Sequence, residues 1–178
     1  MRRSASLLVL GAAALLLQGS LALYVPRAFV PDFAFLVVVT VGLHLPGVQG
    51  LLVAAALGYT ADLLSGALPG EHALLWAGVW ALTGFVNRRL DLRRVPPLLV
   101  AVLAFTGVET LGFALLNGGL AGRPTVDVHL LSTAAWQMLV NTLAAPLVWG
   151  LTSAVLALVS PDEVGRRRVR LETRRPVI

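Results

Sequence analysis

Two carboxylates, Asp62 and Glu109, lie within or at the edge of otherwise apolar segments of this chain. A charge at the centre of a membrane-spanning helix costs about 3 kcal/mol on insertion scales, so such a residue needs a partner, water or a proton. Glu109 lies near the middle of its segment, which favours a hydrogen bond to another helix over a ligand or proton role. Asp62 lies within a turn of a segment end, where it is either an interfacial polar residue or, because a carboxylate is unfavourable at the negative end of a helix dipole, bound to a specific partner.

The other polar residues of the apolar segments indicate packing rather than catalysis. Gln137 and Asn141 share one helical face, and amides at such positions usually bind neighbouring helices. His44, His72 and His129 lie near segment ends without the spacing of metal ligands. The chain has no glycine-rich phosphate-binding run, and no serine or threonine has an evident general base. We therefore expect no enzyme activity, cofactor or metal.

A stripe of small residues precedes Asp62. It consists of Gly50, Ala54, Gly58 and Asp62, each four residues from the next. This spacing places them on one face of a helix, and small residues allow close helix contacts in membranes. We expect the face to be buried against protein. Gly66 and Gly70 follow in a turn.

The amino-acid composition indicates what kind of helices carry these residues. The 178 residues are 57% hydrophobic and 13% charged, and the mean hydropathy is +0.83, whereas soluble domains have roughly 45–50% apolar and about 25% charged residues. This is the composition of an integral membrane protein. About six spans of roughly 20 residues account for the whole length, which leaves no soluble catalytic domain. The basic pI of 11.2 is explained by membrane topology rather than by nucleic-acid binding.

The predicted fold is an all-α bundle of six membrane spans. They cover residues 5–24, 33–45, 48–64, 73–86, 97–117 and 129–159 of a membrane domain, 1–160, which precedes a basic tail, 161–178. Pro31 followed by Asp32 indicates a helix start. The second and third spans are short, so a hairpin turning at Pro46 is preferred to a re-entrant pair. Pro146 is predicted to kink the last span.

The arginines are distributed unequally between the two predicted sides of the membrane. Six spans place both termini and residues 87–94 on one side with twelve arginines, and leave only Arg27 and Arg123 on the other. The positive-inside rule then makes both termini cytoplasmic. Arginines assigned to topology or to anionic lipid are Arg88, Arg89, Arg93 and Arg94 in the loop and Arg166, Arg167, Arg168 and Arg170 in the tail.

The chain resembles the bacterial rod shape-determining protein MreD family. The similar features are Pro31-Asp32, the sequence of Gly58, Asp62 and Gly66, the helix start Gly70-Glu-His-Ala-Leu74, and Asn141 followed by Pro146. Leu68-Pro69-Gly70 departs from the Pro-Leu-Gly order expected in that turn. Residues that this reading places at partner or helix contacts are Asp32, Gly50, Ala54, Gly58, Asp62, Gly66, Gly70, Glu109, Gln137, Asn141 and Pro146.

The resemblance implies a non-enzymatic scaffold of cell-wall elongation in the bacterial inner membrane. The implied partners are an MreC-type bitopic membrane protein and, indirectly, the elongation peptidoglycan synthase complex and the MreB filament. It also implies a fold similar to the substrate-binding subunits of energy-coupling-factor transporters. A vitamin-like solute-binding or transport subunit is therefore the alternative, with Asp62 and Glu109 facing a water-filled pocket rather than a helix. Few polar residues are expected to converge in the spans, which favours the scaffold.

Overall fold

The computed structural model describes the backbone of residues 2–121 and 128–159 and the side chains of 2–118 and 131–159. This part is helical, as predicted. The helices are α1 (Arg2–Leu21), α2 (Phe33–His44), α3 (Val48–Ser65), α4 (Glu71–Asn87), α5 (Val95–Ala121) and α6 (Val128–Val159), with a 3-10 turn at Arg27–Phe29. The tail arginines Arg166, Arg167, Arg168 and Arg170 lie outside the described residues.

Five described segments are long and apolar enough to cross a membrane. They are Arg2–Leu21, Arg27–His44, Val48–Ser65, Val95–Gly118 and Leu131–Val159. The remaining helix, α4, has 17 residues, which corresponds to about 25 Å at roughly 1.5 Å per residue. The structure thus confirms an all-helical protein with several helices suited to spanning a membrane.

The helix boundaries follow local chemistry. Asp32 is the N-cap of α2, where its side chain accepts a hydrogen bond from the Phe35 N–H at 2.9 Å. Gly66 and Gly70 bound the turn between α3 and α4 with φ of 67° and 96°, a left-handed conformation that other residues adopt only with strain. The span predicted to end at residue 117 instead continues as a helix through Ala121, because glycine lowers helix propensity but, unlike proline, keeps the backbone N–H.

The central helix of the bundle is α2, which contacts α1, α3, α4 and α6. Nine of its 12 residues are buried, from Ala34 to Leu43. This burial explains why the sequence of α2 is apolar on every face, since a helix surrounded by other helices has no exposed polar side.

One end of the bundle, which we call the arginine end, brings Arg3, His44 and Arg93 together. Arg93 Nη2 donates to the Leu43 carbonyl at 3.3 Å, and His44 lies within electrostatic range of Arg3 and Arg93. The start of α1, the end of α2 and the loop between α4 and α5 therefore share this end.

The opposite end, which we call the acidic end, contains Asp32, Asp62 and Glu71. Asn117 near the end of α5 donates to Glu71 Oε1 at 2.6 Å, and Gln137 near the start of α6 donates to the Val30 carbonyl at 3.0 Å. Both α2 and α3 run between the two ends, as does α4. Successive helices thus alternate in direction, including the short α4.

The small-residue stripe of α3 faces α4. A Cβ placed on Gly58 would lie 2.6 Å from the His72 carbonyl oxygen and from Ala73 Cα, and a Cβ on Gly50 would overlap the Trp80 indole. Ala54, between them, is fully buried. The stripe is therefore occupied by α4 of the same chain, and a partner protein reaches it only if α4 moves away.

Substituting Gly58 by leucine should destabilise the protein because the obstructing atoms belong to the α4 backbone, which cannot rotate aside. We expect a loss of about 2–3 kcal/mol, typical of overpacking, measured as a lower thermal unfolding midpoint in detergent. The matched control is Gly78→Leu, since Gly78 lies on the exposed face of α4 with nothing within 4 Å of its Cβ position. Equal midpoints for the two variants would contradict the close contact.

Candidate functional site

The carboxylate of Asp62 binds the N-terminus of α4. Oδ2 accepts from the Gly70 N–H at 2.9 Å, and Oδ1 accepts from the His72 N–H at 2.9 Å. The first N–H groups of a helix have no partner within the helix, and the helix dipole is positive there. Asp62 is 1% exposed, so its negative charge is balanced by α4 and not by solvent. The partner that the Asp62 carboxylate requires is therefore the N-terminus of the next helix in the same chain.

His72 links three helices around this carboxylate. Its Nδ1 donates to Asp62 Oδ1 at 2.7 Å. The imidazole ring packs against Phe113 of α5 with centroids 4.6 Å apart and the two ring planes inclined by 59°, and it meets Trp76 edge-on at 5.7 Å. The orientation of the histidine is therefore set by α3, α4 and α5 together.

Glu109 accepts a hydrogen bond from Trp76 across the α4–α5 contact. The distance from Trp76 Nε1 to Glu109 Oε1 is 2.6 Å, and both side chains are buried. An indole N–H buried without an acceptor would carry a desolvation penalty. Glu109 supplies that acceptor, and the tryptophan in turn gives the intramembrane carboxyl group a donor.

The two amides of α6 bind the connection that precedes α2. Asn141 Oδ1 accepts from the Asp32 N–H at 2.8 Å, while its Nδ2 donates to Thr106 Oγ1 at 3.3 Å. Gln137 lies one helical turn before Asn141 on α6, and its side chain donates to the carbonyl of Val30. Asn141 is fully buried, so the hydrogen bonds by which it joins α6 to the start of α2 and to the middle of α5 are shielded from water.

These contacts form one polar network at the acidic half of the bundle. Gln18 of α1 accepts from the Ala34 N–H at 3.1 Å and also binds the Asp32 carboxylate. Asp32 lies within electrostatic range of both His72 and Glu109. The expectation that few polar residues converge in the spans is therefore wrong, because Asp62, Glu109, Gln137 and Asn141 each bind a polar group outside their own helix.

Sequence reasoning missed several members of the network. They are Gln18, Glu71, His72, Trp76, Thr106 and Asn117. Each is a polar or indole-bearing residue within an apolar helix or at its end, and a search for donors to match each buried acceptor would have identified them as candidates. Pairing them requires the fold, because the partners are far apart in the chain.

The buried polar side-chain atoms of the network form hydrogen bonds with other groups of the chain. Among the described residues, the buried side-chain nitrogen or oxygen atoms without a partner are Trp149 Nε1 and Ser153 Oγ, both in the later half of α6 and outside the network. The described residues also contain no group of three histidine, aspartate or glutamate side chains that could hold a metal. His44 Nδ1 bonds to the Thr40 carbonyl of its own helix at 2.8 Å.

The remaining predicted residues lie in other parts of the bundle. Pro146 lies inside α6, which is helical on both sides of it, and the predicted kink stays a prediction. At the arginine end, Arg94 Nε contacts Asp91 Oδ2 at 3.3 Å, with both side chains exposed. Arg88 and Arg89 are exposed beyond the end of α4.

A bundle of apolar helices whose buried carboxylates and amides bind groups outside their own helices is an all-helical integral membrane protein. The family model described as rod shape-determining protein MreD matches residues 4–158 of the chain. The chain belongs to the MreD family, a family of shape-determining membrane proteins, and has a role in rod shape determination as part of the shape-determining complex. No curated protein and no solved structure matches it, so the similarity to energy-coupling-factor subunits stays a prediction.

Removing the Asp62 carboxylate should destabilise the hairpin of α3 and α4. In Asp62→Ala the N–H groups of Gly70 and His72 lose their acceptor, and unsatisfied buried donors cost about 1–3 kcal/mol each. We expect a clear drop in the thermal unfolding midpoint and a smaller drop for Asp62→Asn, which keeps one acceptor oxygen. Asp91→Ala is the control, since an exposed ion pair contributes less than about 1 kcal/mol. Equal midpoints for Asp62→Ala and Asp91→Ala would contradict the capping role.

Two substitutions of Glu109 separate hydrogen bonding from charge. Glu109→Gln retains an oxygen that can accept from Trp76 and should change stability by less than about 1 kcal/mol, whereas Glu109→Leu leaves the indole N–H without an acceptor and should cost about 2–3 kcal/mol. Thermal unfolding in detergent measures both. An equally large loss in the two variants would mean that the charge, and not the acceptor, stabilises the bundle.

Proposed function

We propose that this protein is a non-enzymatic membrane scaffold of the cell-wall elongation complex. It binds an MreC-type bitopic membrane protein and, through it, is linked to the peptidoglycan synthase complex and the MreB filament. The match to the MreD family over residues 4–158 is the observation that carries the proposal. The alternative, a small-solute transport subunit, has no comparable support, because Asp62, Glu109 and Asn141 bind groups of this chain.

The orientation we propose places the arginine end in the cytoplasm of a bacterium and the acidic end on the outer side of the inner membrane. The support is the distribution of arginines, with Arg2, Arg3 and the 87–94 loop at one end and Arg27 at the other. Both termini are then cytoplasmic. The turn between α3 and α4 faces outward, where it is open to the extracytoplasmic part of a partner.

This turn has the properties of a contact surface. Leu63, Leu64 and Leu68 are 64%, 61% and 45% exposed, so three large apolar side chains close together in the chain are exposed where α3 ends and the turn begins. The backbone beneath them is held by the left-handed glycines and by the Asp62 cap. A surface already held in one conformation loses little entropy when it binds. We propose that the MreC-type partner contacts these leucines.

Truncating the turn leucines should weaken the complex without unfolding the protein. In Leu64→Ala/Leu68→Ala we expect at least about a tenfold loss of affinity, or about 1.4 kcal/mol, measured by titrating the purified MreC-type partner in detergent. The matched control is Leu143→Ala/Leu147→Ala on α6, where both leucines are 72% exposed.

The two variants separate the location of the contact from its existence. A loss of affinity in the α6 variant alone would move the contact to α6 and contradict the assignment to the turn. If the unmodified chain does not bind the MreC-type protein at all, the scaffold proposal itself fails.

A further inference from the structure

The loop between α4 and α5 forms a shallow, open cleft at the arginine end. Its volume is about 440 Å³, and it is lined by Asn87, Arg88, Arg89, Leu90, Asp91 and Arg93. The lining is mostly polar and basic. The polar network of the acidic half contributes none of these residues, so the cleft is a separate feature of the molecule.

The loop is held in a defined shape. Leu92 is fully buried, and its backbone N–H donates to Asn87 Oδ1 at 3.2 Å. The guanidinium of Arg93 is anchored by its bond to the Leu43 carbonyl at the end of α2. The arginines around the cleft therefore project from a folded backbone.

The cleft has an excess of positive charge. Arg88 and Arg89 have no ion-pair or hydrogen-bond partner for their side chains among the residues that the structure describes. The one acidic residue of the lining, Asp91, is already bound by Arg94, which lies outside the lining. The lining thus carries three arginines and one carboxylate, and that carboxylate already contacts a fourth arginine, Arg94.

Topology alone does not require such a cleft. The positive-inside rule depends on the number of basic residues near the ends of the spans, whatever their arrangement. A guanidinium, however, is a planar fork that matches the oxygens of a phosphate group and binds it with two hydrogen bonds. The arrangement of the arginines therefore points to an anion with phosphate chemistry.

Apolar side chains border the same loop. Phe85 is 62% exposed and Leu90 is 53% exposed, and the apolar helix α5 begins at Val95. A soluble anion has no apolar part that could contact this border, whereas a phospholipid would place its headgroup among the arginines and its acyl chains along the helices.

We propose that the cleft binds the phosphate headgroup of an anionic phospholipid. Arg88, Arg89 and Arg93 contact the phosphate oxygens, and the acyl chains lie along Phe85 and Leu90. The site would hold a lipid of the acidic leaflet against the loop that joins α4 and α5.

The test is native mass spectrometry of the intact chain with added phosphatidylglycerol or phosphatidylcholine of the same acyl composition. Each basic residue near a membrane surface contributes about a fivefold factor in binding to anionic lipid. We expect tighter binding of phosphatidylglycerol, and about a 25-fold loss in Arg88→Gln/Arg89→Gln, a double variant that breaks no hydrogen bond of the described residues.

The matched control is Arg166→Gln/Arg167→Gln, which removes the same charge from the tail and should retain tight binding. An equal loss in both double variants would mean that total charge, rather than the cleft, attracts the lipid, and would overturn the proposal. So would equal binding of the two lipids. Displacement of phosphatidylglycerol by equimolar glycerol phosphate would identify a soluble phosphate as the ligand instead. Displacement by an equimolar acidic peptide would identify a protein segment as the ligand.

Discussion

The capture of α4 by the Asp62 carboxylate is the interaction on which the rest of this structure depends. In an apolar environment neither a carboxylate nor the free N–H groups of a helix start can rely on water. Placing one against the other satisfies both and joins α3 to α4. Gly58 then lets the two helices come together at the backbone. The remaining helices are arranged around this hairpin and around α2.

The same constraint extends through the bundle. Asn141, Gln18 and Glu109 each bind a group on another helix, and these groups include backbone N–H groups at the start of α2. Apolar side chains gain little by packing against one another instead of against lipid, so hydrogen bonds and close contacts take a larger share in specifying which helices meet. A bundle specified in this way keeps its surfaces in a constant arrangement, which suits a component of a shape-determining complex.

The two ends of the bundle have different chemistry. At the acidic end Asp62 and Glu71 have partners within the chain and an apolar turn is exposed, whereas at the arginine end the side chains of Arg88 and Arg89 have no partner among the described residues. The first suits contact with protein and the second suits contact with an anionic membrane surface. The arginines on which the proposed orientation rests thus line one of the two proposed interaction surfaces.

The sequence by itself determined the membrane class, the helical content, the helix start at Asp32 and the unequal distribution of arginines, because these follow from composition, local capping and charge. It also indicated that Asp62 and Glu109 need partners. The identity of those partners was decided only by the tertiary structure. Asp32 and Asn141 are 109 residues apart in the chain, and Trp76 and Glu109 are 33 apart. Helical periodicity specifies which face a residue occupies, but not which helix that face will meet.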